Sequence, residues 1–199
     1  DRVLTMDVHN LAVLQNAFRA RTEHLEAHPL FVHELEDEIG DADVVVVSPD
    51  EGGVKRASKF AEGLGAVLGH KVPTAFVEKT RKEDGVRGGT LVGEVSGRVA
   101  IVVDDLISTA GTITQAISAA AAGGAEAVYA TATHGLFVGP ANDRISDAPV
   151  DALFVTNTVA PRLDGEAGRR LHICNAAPRF AAAIQAVHTE TSVSALNEV

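Results

Sequence analysis

Short apolar runs rich in β-branched residues alternate along the chain with stretches whose apolar positions recur every three or four residues. The first kind reads as strand and the second as helix. "RVLTMDV" (2–8) opens as a strand and "LAVLQNAFRA" (11–20) follows as a helix. "DVVVVS" (43–48) is a near-continuous valine run, as expected of a strand buried on both faces. In "VKRASKFAEGLGAVLG" (54–69), helical spacing puts Val54, Ala57, Ala61 and Leu64 on one face. "KVPTAFVE" (71–78) and "RVAIVV" (98–103) read as strands. The helix after the second of these groups Ile113, Ala116, Ile117 and Ala120, and "AGG" (122–124) ends it. "AEAVYATATH", "DALFVTNT" and "RRLHICN" supply further strands, and "PRFAAAIQAVHTE" a last amphipathic helix before the tail "TSVSALNEV".

This alternation predicts an α/β fold, a mainly parallel sheet flanked by helices. Ligands of such sheets bind at the carboxyl ends of strands, near a reversal in strand order. The loops that matter are therefore 48–53, 79–93, 104–112 and 134–149. The polar, basic, glycine-containing stretch "KTRKEDGVRGGTLVG" (79–93) reads as a lid or a hairpin.

Composition narrows the partners. A chain of 199 residues can bury a sizeable core. Its net charge of −10 argues against nucleic acid and against an anionic membrane as partners. Basic residues still cluster locally, first Lys55, Arg56 and Lys59, then Lys79, Arg81, Lys82 and Arg87. Such clusters on an acidic protein suit a small anionic ligand. Cys174 is the single cysteine, so no intrachain disulfide can form. No apolar run is long enough for a membrane span. The opening "DRVLTMDVHN" has acids where a signal peptide needs bases, and it lacks an initiator Met. We expect a cytoplasmic protein and further sequence upstream.

Four stretches carry candidate chemistry. In "VVDDLISTAGT" an apolar strand runs into Asp104 and Asp105, then into Ser108, Thr109, Ala110, Gly111 and Thr112 at a helix start. Unpaired N–H groups and the helix dipole favour an anion there, and the hydroxyls add donors. The acids cannot hold phosphate, but they can accept bonds from sugar hydroxyls or act on a divalent cation. The Gly-Lys-Ser/Thr of a P-loop and the Gly-x-Gly-x-x-Gly of a dinucleotide fold are both missing. An N-cap with two exposed acids would give the same letters. In "SPDEGGVKRA" (48–57) Asp50 could reach a metal, and Gly52 and Gly53 allow an anion-binding nest beside Glu51. Its plain alternative is a strand-to-helix turn. In "EKTRK" Lys79 and Arg81 alternate to one side of a strand end, where fixed cations could stabilise a transferring phosphoryl group. A charged edge would look alike. In "DVH", Asp7 and His9 close the first strand and point the same way, so that His9 could ligate a metal or meet a nucleotide phosphate. No zinc spacing occurs among the other histidines.

Taken in order, these stretches resemble the ribose-phosphate pyrophosphokinase family, and the resemblance spans essentially the whole chain. "VVDDLISTAGT" resembles the ribose 5-phosphate loop shared with type I phosphoribosyltransferases, and "SPDEGGVKRA" the family's pyrophosphate loop. "DRVLTMDVH" resembles its metal and nucleotide segment, and "EKTR" stands in the place of its catalytic Lys-x-Arg. "ATHGLFVGPA", "VTNT" and "SVSAL" match as well. The resemblance implies a type I phosphoribosyltransferase-like fold and transfer of the diphosphoryl group of Mg-ATP to the 1-hydroxyl of ribose 5-phosphate. It implies that Lys79 and Arg81 are catalytic and that Asp104 and Asp105 hold the ribose hydroxyls. Ser108, Thr109, Ala110, Gly111 and Thr112 would hold the 5-phosphate. Asp50, Glu51, Gly52 and Gly53 would form the pyrophosphate loop, and His9 and Asp50 would be the ligands of Mg2+. It also implies a homo-oligomer, often a hexamer.

The chain departs from the family pattern in three ways. The upstream half with its adenine-binding segment and Arg-Gln motif is not in these residues. Glu51 stands where the family's loop usually carries Ala, and "LISTAGT" replaces the commoner Asp-Thr version. The division expected is a remnant of an upstream half-domain at 1–40, a phosphoribosyltransferase-type domain at 41–180, and a helix and tail at 181–199. Two other functions stay open: a phosphoribosyltransferase that consumes the same product, and a non-catalytic regulatory paralogue.

Overall fold

The valine run dictates the layering. Val44 to Val47 are all fully buried, and their alternation sends Val44 and Val46 into one apolar core and Val45 and Val47 into another. A strand with no polar face needs cover on both sides, and helices supply it. The computed structural model describes residues 1–81 and 87–199, with the backbone alone at 79–81 and 87–88.

In chain order the elements are β1 (Arg2–Met6), α1 (Leu11–Ala17), β2 (Arg21–Leu25), α2 (His28–Ile39), β3 (Val44–Ser48) and α3 (Val54–Leu68). Then come β4 (Thr74–Arg81), β5 (Arg87–Val92), β6 (Val99–Ile107), α4 (Gly111–Ala122), β7 (Ala127–Gly135) and α5 (Ala141–Asp147). The last are β8 (Ala152–Thr156), α6 (Gly165–Arg169), β9 (Leu171–Cys174) and α7 (Ala177–His188), with 3-10 turns at Glu51–Gly53 and Ser194–Asn197. Seven strands form one sheet in the order β5-β4-β3-β6-β7-β8-β9, and β1 and β2 form a separate parallel pair. Every neighbouring pair in the large sheet is parallel except β4 with β5. The fold is thus α/β with a mainly parallel, helix-flanked sheet, as the alternation implies.

The core carries out the helix expectations closely. Ile113, Ala116, Ile117 and Ala120 are all buried on α4, and Ala57, Ala61 and Leu64 on α3, with Phe60 beside them. Val54 is only partly buried, because it sits at the first turn. The stretch 79–93 takes the hairpin form of its two expected readings: it is the end of β4 and a returning strand, with Phe76↔Val92 through Arg81↔Arg87 paired antiparallel; residues 82–86 lie outside the described residues. Three differences remain. The strand at 98–103 continues to Ile107, because β7 pairs with it as far as Ile107↔Gly135. Asp104 and Asp105 are therefore strand residues. β2 and α2 are additional elements: β2 buries only Leu25 among mostly polar positions, so it shows little period. Finally, α5 is a seven-residue helix inside the expected 134–149 loop, and α6 a five-residue helix just before β9.

Candidate functional site

Strand order locates the site. From β3 the chain moves to β4 on one side, and it returns to β6 on the other. The carboxyl ends of β3 and β6 therefore face a crevice at the reversal, the place where open α/β sheets bind ligands. The 48–53 loop leaves β3 there and the 104–112 segment ends β6 there. A cavity of about 270 Å³ lies between them and the β1–β2 pair, lined by Asp7, Gly52, Lys55, Arg56, Asp104 and Asp105 among others. A second cavity of about 140 Å³ is lined by Asp104 and by residues 106–113. Asp104 is common to both, so the acids and the hydroxyl-rich loop open onto adjoining spaces.

The first loop is held by its own side chains. Ser48 Oγ donates to the Asp50 carbonyl at 2.6 Å, and the Gly53 N–H donates to Asp50 Oδ1 at 3.1 Å. Gly53 is buried, and its φ of −87° is open to any residue. What demands glycine there is space: a Cβ would stand 2.6 Å from Ser48 Oγ. Gly53→Ala should therefore spread the loop and cost about 1–3 kcal/mol of stability, the range for overpacking. Adding Ser48→Ala removes the obstructing oxygen, so the double variant should lose less than the two single losses summed. Urea unfolding of all four proteins checks this, and strict additivity would exclude the clash as the cause.

The second loop turns on Ala110, which has the left-handed φ of +62° just before α4 begins. A non-glycine residue there is strained by roughly 1–2 kcal/mol. The first residues of α4 and Ser108, Thr109 and Thr112 line the smaller cavity.

One arginine joins the acids. Arg56, in the first turn of α3, places Nη1 3.2 Å from Asp104 Oδ1 and Nη2 2.8 Å from Asp105 Oδ2. His9 reaches the same oxygen, with Nδ1 2.8 Å from Asp105 Oδ2, while its side chain is 83% exposed. The Asp105 side chain is only 5% exposed. Asp7 is held more firmly than His9. Its φ is +41°, which breaks the strand alternation, and its Oδ2 accepts from the Ala27 N–H at 3.0 Å and from Thr133 Oγ1 at 2.5 Å. Asp7 thus ties the segment down as part of the cavity wall, and His9 reaches the crevice through Asp105.

The two acids titrate in opposite directions. Burial, reinforced by the Asp105 charge, pushes the Asp104 carboxyl up to about 7. Burial also raises Asp105, but the Arg56 charge and the bonds to His9 and Asp104 outweigh it and hold Asp105 below the ordinary value. Between pH 3.8 and about 7 the folded protein keeps a proton on Asp104 that the unfolded chain has released. Through that window the Asp104 contribution to stability falls as pH rises, and it is constant above it. Asp104→Asn should therefore gain stability relative to the parent at pH 8 compared with pH 5. Chemical denaturation at both values tests this; a difference between the two proteins that does not change with pH contradicts it.

Of the residues singled out from sequence, Asp7, Gly52, Asp104 and Asp105 line the cavity at the reversal, His9 joins it through Asp105, and Asp50 and Gly53 bond to each other in the adjoining loop, where Glu51 is exposed. Ser108 to Thr112 line the adjoining cavity. Lys79 and Arg81 belong to β4, next to β3, but their side chains lie outside the described residues. Arg56 is the charged residue at this crevice that sequence reading did not single out as an individual. Its signals were membership of the basic cluster 55–59 and of the stretch 48–57. No three His, Cys, Asp or Glu side chains converge on a possible metal position among the described residues. No described helix is long and apolar enough to cross a membrane.

Known proteins resemble this chain in sequence and in fold. The family model for the phosphoribosyl synthetase-associated domain matches residues 72–198. A ribose-phosphate pyrophosphokinase of Caldanaerobacter subterraneus is 41% identical over 197 residues, 98% of this chain and 60% of its own length. One from Clostridium perfringens is 40% identical over 199 residues, again 98% of this chain and 60% of its own length. The chain thus spans about 60% of the length of these curated relatives. The crystal structure of phosphoribosylpyrophosphate synthetase from Mycobacterium smegmatis superimposes with a TM-score of 0.81 at 34% identity, over 96% of this chain and 59% of that one. The matched residues include β6, the Ser108–Thr112 loop and every element after them, so this chain belongs to the phosphoribosyl synthetase-associated domain family.

Proposed function

We propose that the protein containing this chain transfers the diphosphoryl group of ATP to the 1-hydroxyl of ribose 5-phosphate, giving 5-phosphoribosyl 1-diphosphate and AMP. The observation that carries this reading is the pairing of the two loops across the β3/β6 reversal, joined by Arg56. A sugar phosphate fits one side. Its phosphate would take the N–H and hydroxyl donors of Ser108 to Thr112, and Asp104 would accept from its ring hydroxyls, with Asp105 held beside it by Arg56 and His9. The diphosphate fits the other side, over Gly52 and Gly53. In that arrangement the sugar 1-hydroxyl lies between the loops, ready for in-line attack on the β-phosphorus. The bond to the α-phosphate oxygen breaks and the hydroxyl proton is released.

His9 and Asp50 would hold Mg2+ on the phosphate oxygens. The ion would neutralise charge on those oxygens as the diphosphate moves. Lys79 and Arg81 would meet the same developing charge from β4. Relatives at about 40% identity named ribose-phosphate pyrophosphokinase support the assignment. A homo-oligomer in the cytoplasm is part of the same reading. The phosphoribosyltransferase alternative needs the sugar-phosphate loop but gives no task to His9, which Asp105 holds at the crevice.

The test is incubation of the intact protein with Mg-ATP carrying labelled β-phosphate and ribose 5-phosphate. Label in phosphoribosyl diphosphate and equimolar AMP are expected. Diphosphate release that depends on an added base and on phosphoribosyl diphosphate would instead identify a phosphoribosyltransferase. Binding of both substrates without turnover would identify a regulatory subunit.

A further inference from the structure

The phosphate loop is built from both sides, and the outer side has a cation in it. Three successive carbonyls of the loop are occupied from the segment that follows β7. Leu136 and Phe137 donate their N–H groups to the Ile107 carbonyl at 2.9 and 3.2 Å, and the Val138 N–H donates to the Ser108 carbonyl at 2.9 Å. Arg144 Nη1, from α5, donates to the Thr109 carbonyl at 2.9 Å. The same nitrogen would stand 3.1 Å from a Cβ at Gly111, so the guanidinium lies against the turn itself. The carbonyls of 107 to 109 are thus all bonded, and the residues that follow, Ala110 to Ile113, line the cavity. The strained φ of Ala110 sits between the two residues Arg144 touches. A strained residue keeps its conformation only where its surroundings over-determine it.

We propose that Arg144 is a positioning residue for the sugar 5-phosphate. It holds the Thr109–Gly111 turn in the anion-binding conformation from behind and adds its positive charge to the site without touching the substrate. This rests on the reading of Ser108 to Thr112 as the 5-phosphate loop. Arg144 itself is exposed, and its alkyl stem fills no part of the buried core, so its loss does not threaten the fold. The hydrogen bond is charge-assisted, and removing one of that kind weakens a dependent equilibrium roughly tenfold.

The experiment uses the intact protein and three variants, Arg144→Met, Arg144→Lys and Thr112→Val. Calorimetry gives the ribose 5-phosphate and ATP affinities of each, and thermal melting reports the fold. Arg144→Met is expected to weaken ribose 5-phosphate roughly tenfold, to leave ATP affinity and melting temperature unchanged, and to be largely rescued by Arg144→Lys. A merely structural residue would move both affinities together, or the melting temperature, and either result overturns the proposal. If Thr112→Val weakens ribose 5-phosphate while Arg144→Met does not, the positioning role alone fails. If Thr112→Val also has no effect, the loop does not hold the phosphate, and the underlying reading falls with it.

Discussion

Replacing Arg56 with methionine is expected to reduce turnover roughly 100-fold, the scale on which misplacing reacting groups by about an ångström acts. Arg56 forks over Asp104 and Asp105 at 3.2 and 2.8 Å, and among the described residues it is the side chain that bridges α3, which starts at the diphosphate loop, to the acids of β6. Without it, two adjacent carboxylates remain at the crevice with no described cation at either except His9 on Asp105, and Asp104 keeps the Asp105 N–H. Asp104, already raised by burial, loses a charge that lowers it, so a larger fraction is protonated at neutral pH. Methionine keeps the length of the stem, so the loss isolates the guanidinium. Lysine keeps the charge but has one nitrogen where Arg56 uses two, and it should recover only part of the activity. Stability should fall by about 1–3 kcal/mol, because hydrogen bonds to charged groups are lost. Steady-state rates for the parent, Arg56→Lys and Arg56→Met decide the matter. Equal rates in all three would remove Arg56 from the site.

Burial explains part of what was legible. The Val44–Val47 run and the α4 stripe were readable because every position that repeats is buried, with no competing role. β2 sits at the other extreme: it buries one residue and imposes no hydrophobic period. Burial is not the whole account, since α1 was readable although it buries none, and α2 was passed over although Phe31, Val32, Leu35 and Ile39 are buried. The loops at 48–53 and 104–112 stood out because a buried strand ends in groups that a core would reject. Their facing one another was not legible, since it depends on β6 pairing with β3 rather than with β4, its nearer neighbour in sequence. The same long-range pairing hid Arg56. Lys55, Arg56 and Lys59 look equivalent as letters, yet Lys59 pairs with Glu26, and only Arg56 meets acids 48 residues along the chain. Arg144 was hidden for a related reason: its partner is a backbone carbonyl, 35 residues away, which leaves no complementary letter.

Strand alternation assumes an extended backbone, and Asp7 leaves it with a φ of +41°. That departure makes Asp7→Ala the most destabilising change expected here, about 3 kcal/mol. The carboxylate accepts from the N–H of Ala27, which is fully buried, and from the hydroxyl of Thr133, 1% exposed. Alanine leaves both donors in place with nothing to bond. Each orphaned buried donor costs about 1–3 kcal/mol. The bonds also carry the geometry of the crevice: they fix the end of β1 to the start of α2 and the end of β7, two residues before His9. His134 reinforces the junction, with Nε2 3.1 Å from the Met6 carbonyl and Nδ1 2.8 Å from Thr158 Oγ1. Asn tolerates the left-handed conformation and keeps one acceptor oxygen, so Asp7→Asn should lose only about 1 kcal/mol. Part of that loss comes from the negative charge that Asp7 turns toward the half-buried Arg179. Thr133→Val removes one of the orphaned donors, so adding it to Asp7→Ala should cost little more than Asp7→Ala alone. Guanidinium unfolding of the five proteins measures these terms. An Asp7→Ala loss within about 0.5 kcal/mol, the range of an ordinary surface change, would show that β1 is held to the sheet by other contacts.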